Sequence, residues 1–176
     1  MKLKNQHIKN SDLIYKARNF AFEAHAKEEQ RYGEHAYSKH LSDVFLHLIS
    51  MGYSEPEYLA TALLHDVLED CPNVTRLEIK NLFGIDVLNN VIALTKLSNG
   101  EPNYALLNKF PVAKAVKIAD STANLGQGLL EKNSKSAKYI KRFPTYQQQL
   151  RIEGEYENLW NAMAERIIVY EALVLV

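Results

Sequence analysis

An all-α domain is the fold the sequence predicts, and three observations predict it. Apolar residues recur at the helical spacing of three and four along most of the chain. Alternating apolar–polar runs, the mark of half-buried strands, are scarce. Glycine occurs only seven times in 176 residues, and no Pro/Gly-rich linker, internal repeat or low-complexity tract divides the chain. A single domain over residues 1–176 is the expectation, a length that can bury a core without covalent staples.

The elements follow in order. Ser11 can cap a first helix running to about Gln30, with Leu13, Ala17, Phe20, Ala21 and Ala24 on one face. "RYGEHAY" (31–37) reads as a loop. A second helix is expected over Ser38–Met51, stopped by Gly52. Glu55-Pro56 opens a third, which carries "TALLHDVLED" (61–70). Pro72 ends it, because the residue before a proline is pushed out of the α region. Thr75 to Leu82 reads as a short helix closed by Gly84, and Ile85 to Leu97 as the next. "SNGEPN" (98–103) is turn-rich, and Pro111 suits the first turn of a long helix through about Leu130. After the polar link "EKNSKS", the segments "AKYIKRF", "PTYQQQL" and "EYENLWNAMAERIIVYEALV" complete the chain as helices.

Charge narrows the function classes. Lys plus Arg equals Asp plus Glu at 21 each, so no global basic excess argues for nucleic acid, and an anionic ligand must be caught by local charges. Cys71 is the only cysteine, which excludes an internal disulfide and fits a reducing compartment. The start "MKLKNQHIKN" lacks the apolar core of a signal peptide. The run "IIVYEALVLV" is too short for a bilayer, which needs about 20 apolar residues. A cytoplasmic protein with no membrane partner is the expectation.

The quoted stretch "TALLHDVLED" brings His65, Asp66, Glu69 and Asp70 together in six positions of a mostly apolar segment. On a helix His65 and Asp66 would project about 100° apart, and both could converge on one ion off the helix edge. Glu69 and Asp70 follow one turn later, each on the face of its partner, where a general acid or base should stand. The rest of a metal shell must come from elsewhere. His40 follows a segment that also holds Arg31 and His35, and Asp120 interrupts the apolar "AVKIADSTANL" with Asn124 four residues on. A mid-helix Asp among small apolar residues is costly unless paired or ligated. His40, His65, Asp66 and Asp120 would give two nitrogens and two oxygens, a shell that suits Mn²⁺, Fe²⁺ or Zn²⁺ more than Ca²⁺. Singly, each has a plainer reading: Asp120 could pair with Lys117, and His25 and His47 read as structural. Lys27, Lys39 and Lys114 read as solvated charges, and Tyr139 and Tyr146 as half-buried packing residues.

Together, "HAKEEQRYGEHAYSKH", "TALLHDVLED", "LFGIDVLNNVIALTKL" and "AVKIADSTANL" resemble the HD-type hydrolase domain of the RelA/SpoT-homologue alarmone enzymes, most of all the free-standing small alarmone hydrolases. The resemblance spans roughly residues 11 to 150. It implies hydrolysis of the 3′-pyrophosphate of guanosine tetra- and pentaphosphate by a single HD-type multi-helix domain. It implies His40, His65, Asp66 and Asp120 as ligands of one Mn²⁺. Glu69 and Asp70 would activate or position the attacking water, and Arg31 and Asn124 would hold the nucleotide. Ser121 departs from the family's basic residue after the ligand Asp, and the link from "TKLSNGEPN" to "AVKIAD" is short. The base therefore stays open between guanine and adenine. A broader HD-type nucleotide phosphatase or phosphodiesterase, or a non-catalytic nucleotide sensor, are the alternatives.

Overall fold

Every residue from Ala113 to Ala123 is buried, and the fold is arranged around the helix that contains them. The computed structural model describes residues 2–131 and 135–174. In chain order it has α1 (Lys2–Lys27), a hairpin of β1 (Arg31–Tyr32) and β2 (His35–Ala36), then α2 (Ser38–Ser50), α3 (Pro56–Leu64) and α4 (Val67–Asp70). There follow α5 (Arg76–Phe83), α6 (Ile85–Leu94), α7 (Tyr104–Lys109), α8 (Pro111–Leu130), α9 (Lys135–Leu150) and α10 (Glu157–Val174). The all-α class holds, with the hairpin as the sole sheet among the described residues.

α8 begins at Pro111, as expected, because proline has no N–H to lose in a first turn. Its alanines at 113, 115, 119 and 123 let neighbours approach closely, and α2, α3, α6, α7, α9 and α10 all pack against it. One apolar cluster joins α8 to Trp160 and Met163 of α10 and to Tyr146 and Leu150 of α9. A second joins Ala17 and Ala21 of α1 to Leu63, Leu64 and Val67 and to Ile79 and Val91. Among the described residues no helix is long and apolar enough to cross a membrane.

Several boundaries differ from the sequence reading. Ser11 lies inside α1, which begins at Lys2, so it does not stand at that helix's N-terminus. α1 stops at Lys27, where Glu29 takes the left-handed conformation with φ 52. The Glu29 N–H then bonds the Ala26 carbonyl at 3.1 Å and the Gln30 N–H bonds the His25 carbonyl at 3.2 Å, the Schellman pattern. No glycine marks that stop. "RYGEHAY" is the hairpin, turning at Gly33 with φ 62, a glycine at the first central position of a two-residue turn. α7 is an unforeseen helix, capped by the Asn103 side chain. α9 runs unbroken through Pro144, where two segments were expected. Tyr146 is fully buried, and Lys114 is buried against Glu155 at 3.1 Å instead of being solvated. Part of the polar link (132–134) lies outside the described residues.

The difference with chemical consequence is in the third helix. It breaks at His65 and Asp66 into α3 and α4. Asp66 sits at φ −104, ψ −3, the sparsely allowed bridge region where active-site residues are often found. The His65 ring supplies a partner where the helical ladder stops: Nδ1 donates to the Ala62 carbonyl at 2.7 Å.

Candidate metal centre and active site

Three parts of the chain deliver four donor atoms to one point. His40 comes from the first turn of α2, His65 and Asp66 from the α3–α4 break, and Asp120 from the middle of α8. His40, His65 and Asp120 are buried, and Asp66 is partly exposed. Because His65 Nδ1 carries the proton given to Ala62, the neutral ring keeps its lone pair on Nε2, facing the centre. His65 Nε2 lies 3.2 Å from His40 Nε2, 2.9 Å from Asp66 Oδ2 and 3.8 Å from Asp120 Oδ1. His40 Nε2 lies 3.2 Å from Asp120 Oδ1 and 3.8 Å from Asp66 Oδ2.

These spacings fit donors around one cation. Two atoms each about 2.1 Å from an ion and 90–110° apart stand roughly 3.0–3.4 Å from each other. The chemistry fits as well. Two imidazole nitrogens at this separation repel unless a proton or cation lies between them, and two carboxylates alongside demand positive charge. A proton answers part of that demand. Burial opposes charging His65, yet Asp66 and Asp120 outweigh it and its pKa is pushed up to about 9. A divalent cation answers it fully, and the His65 bond to Ala62 is the kind of outer contact that orients a ligand histidine.

Asp120 is held on both sides. Lys117 Nζ donates to Oδ2 at 2.7 Å, and Asn124 Nδ2 donates to Oδ1 at 2.6 Å and to the Asp120 carbonyl at 3.1 Å. Burial works against its ionisation, but Lys117 and the two histidines hold the carboxyl well below the usual range. Asn124 therefore orients Asp120 with its amide donor. Ser121 points away, donating to the Lys117 carbonyl at 2.8 Å from a fully buried position.

The cleft beside the centre has a volume of about 130 Å³ and is lined by both acids and cations, two of the cations already paired, Lys96 with Glu69 and Lys117 with Asp120. Glu69 and Asp70 both line it, as do Lys96, Lys117, Lys138 and Arg142. The two α4 carboxylates differ. Glu69 is clamped by Lys96, whose ammonium pairs with Oε1 and whose backbone N–H donates to Oε2 at 3.2 Å. Among the described residues Asp70 makes no ion pair, though the Lys96 charge and a hydrogen bond from Tyr37 act on it. Burial and the charges of Asp66 and Glu69 push its pKa up to about 6. Of the cations, Arg142 also reaches Glu101 at 2.9 Å, while exposed Lys138 has no carboxylate within ion-pair distance among the described residues.

Of the residues anticipated from sequence, seven line this cleft: His40, His65, Asp66, Glu69, Asp70, Asp120 and Asn124. Arg31 does not. It stands exposed on the hairpin, its guanidinium donating to the Glu34 carbonyl. Tyr37, Lys96, Lys138, Tyr139 and Arg142 line the cleft without having been singled out for it. Only the i, i+4 pair Lys138 and Arg142, two cations on one helical face, left a local trace in the sequence. A larger groove of about 710 Å³ between α2, α8 and α10 contains none of these catalytic candidates.

Comparison with known proteins adds three findings. The HD domain family model matches residues 17–126, most of the chain. A guanosine-3′,5′-bis(diphosphate) 3′-pyrophosphohydrolase of Aquifex aeolicus (strain VF5) is 36% identical over 96 residues, covering 54% of this chain and 13% of that protein. The chain therefore spans only a small part of that relative's length. A solved structure, described as a metazoan ortholog of SpoT that hydrolyzes ppGpp and plays a role in starvation responses, superposes with a TM-score of 0.72. The match covers 90% of this chain and 95% of that one at 24% identity, and it shows a shared fold.

Proposed function

The chain belongs to the HD domain family, and from that premise we propose that it is a metal-dependent hydrolase of guanosine tetra- and pentaphosphate, releasing the 3′-pyrophosphate to leave GDP or GTP. The observation that carries the reading is the convergence of His40 Nε2, His65 Nε2, Asp66 Oδ2 and Asp120 Oδ1 beside two carboxylates and a group of cations. The relative from Aquifex aeolicus supports the choice of substrate.

In this reading the four residues hold one divalent ion; the mixed nitrogen and oxygen donors suit Mn²⁺, Fe²⁺ or Zn²⁺, and the resemblance to the alarmone hydrolases selects Mn²⁺ among them. When bound, such an ion polarises a phosphate oxygen and lowers the pKa of water. The remaining work falls to the chain's own groups. Asp70 accepts the proton of the attacking water, since a carboxylate with a pKa near neutrality suits that task. Glu69 keeps Lys96 at the cleft wall. Lys96, Lys138 and Arg142 offset the charge of the pyrophosphate as its ester bond to the ribose 3′ oxygen breaks. Asn124 keeps Asp120 in orientation. The cavity has room for a phosphate group and water but not for a whole nucleotide, so the base and 5′ diphosphate overhang its mouth.

Because the cavity grips phosphate and leaves the base outside, adenine counterparts are the competing substrates, and one assay addresses both. Guanosine tetraphosphate and its adenine analogue are incubated with the protein and Mn²⁺, and the products separated by anion exchange. GDP with intact pyrophosphate is the expected outcome. Orthophosphate released stepwise, with no pyrophosphate, would replace this reading with a general phosphatase.

A further inference from the structure

Asp66 is the most exposed of the four donors. Its backbone lies in the helix break, and its side chain is 18% exposed, whereas those of His40, His65 and Asp120 are 2–7% exposed. A short carboxylate at a helix break has more than one rotamer open to it. Among the described residues, one group outside the donor set bonds it: the Tyr37 hydroxyl donates to Asp66 Oδ2 at 2.5 Å.

Tyr37 is itself fixed from below. Its ring stacks on His25, with centroids 4.4 Å apart and planes at 25°. His25 is 1% exposed and its Nδ1 lies 2.6 Å from Gln30 Oε1, so Nδ1 carries the proton and the amide oxygen accepts it. His25 Nε2 is buried and finds no hydrogen-bond partner among the described residues. A buried polar atom left unpaired costs stability, so this ring is poorly explained as core filling, which an apolar side chain would do better.

Gln30 joins the pieces. Its carbonyl accepts from the Tyr37 N–H at 3.3 Å, its own N–H donates to the His25 carbonyl at 3.2 Å, and its Nε2 donates to the Asp70 carbonyl at 3.1 Å. The same side chain thus touches the stack beneath Asp66 and the end of the turn that carries Asp70. The left-handed Glu29 brings Gln30 to this position.

We propose that Gln30, His25 and Tyr37 form a positioning relay that holds Asp66 Oδ2 among the four donor atoms and ties its place to the turn carrying Asp70. The proposal rests on the metal-centre reading above. None of the three is a catalytic residue in this account; Gln30 and His25 act through Tyr37 and the Asp70 backbone, and Tyr37 acts through its hydroxyl on Asp66 and on the neighbouring Asp70 carboxyl, as outer groups do around metal sites.

Tyr37→Phe is the direct test, because it keeps the ring on His25 and removes only the hydroxyl. Mn²⁺ affinity is measured by equilibrium titration of wild type and variant, alongside thermal unfolding of the metal-free proteins. Loss of such an outer contact should weaken metal binding about 10–100-fold, with the metal-free melting temperature unchanged. Gln30→Met, which removes the amide at similar length, should weaken binding in the same direction. Equal affinity of Tyr37→Phe and wild type overturns the relay. So does a fall in the metal-free melting temperature of Tyr37→Phe by more than about 5 °C, which marks a packing role instead. A wild type that binds no Mn²⁺ overturns the metal-centre reading and the relay with it, whereas equal affinities overturn the relay alone.

Discussion

Glu69 and Asp70 are neighbours on α4, yet they meet different partners and should not be equivalent. Lys96 occupies both oxygens of Glu69, through its ammonium and its backbone N–H, while Asp70 lies in the cleft with its pKa pushed up to about 6. Asp70→Asn should retain Mn²⁺ and lose about 10²–10⁴-fold in kcat, the range for a positioned acid or base. Glu69→Gln should lose less, because it disturbs the cleft's cations and not the proton acceptor. Equal losses, or a larger one in Glu69→Gln, would exchange the roles. The pH profile separates them further. A base must be ionised, and burial with the Glu69 charge raises the Asp70 pKa, so kcat should fall on the acidic side as Asp70 is protonated, at a pH that the bound cation, by offsetting Asp66, draws below about 6. That acidic limb should vanish from the residual activity of Asp70→Asn. A limb that survives unchanged belongs to another group.

At the scale of elements, two breaks in helix regularity build the site. The first, at His65 and Asp66, turns consecutive residues toward one point and leaves α4 to carry the carboxylates. The second ends α1 and sends Gln30 under the site, at the cost of holding Glu29 in a left-handed conformation. Side-chain crowding in that region costs an ordinary residue about 1–2 kcal/mol, and glycine avoids it. Part of the gain is cancelled because glycine frees the unfolded chain. Glu29 is exposed, so its side chain contributes little else. Glu29→Gly should therefore raise stability by up to about 1 kcal/mol. Urea unfolding should read this as a higher midpoint with an unchanged slope. A lower midpoint would mean that the Glu29 side chain stabilises the α1 terminus by contacts of its own.

Over the whole molecule, what could be read in the sequence was what local chemistry encodes. α8 was found almost to the residue because Pro111 opens it and small apolar residues repeat along it. The all-α class followed from periodicity, and the cleft gathers seven of the eight site candidates chosen from the sequence motifs. The helix break at Asp66 was hidden because no Gly or Pro announces it, and the α1 stop was hidden because Glu29 does a glycine's work. The cleft's cations and Tyr37 were hidden for a different reason. Lys96 follows α6, Lys138 and Arg142 lie on α9, and only tertiary packing brings them to the cleft that α4 lines. The central claim is that one divalent ion sits among donors from α2, the α3–α4 break and α8, and binding stoichiometry tests it most directly. Mn²⁺ bound at equilibrium should be one per chain in the wild type and lost in Asp120→Ala, whose circular dichroism should remain helical. Full occupancy in Asp120→Ala, or a folded wild type that binds none, would contradict the account.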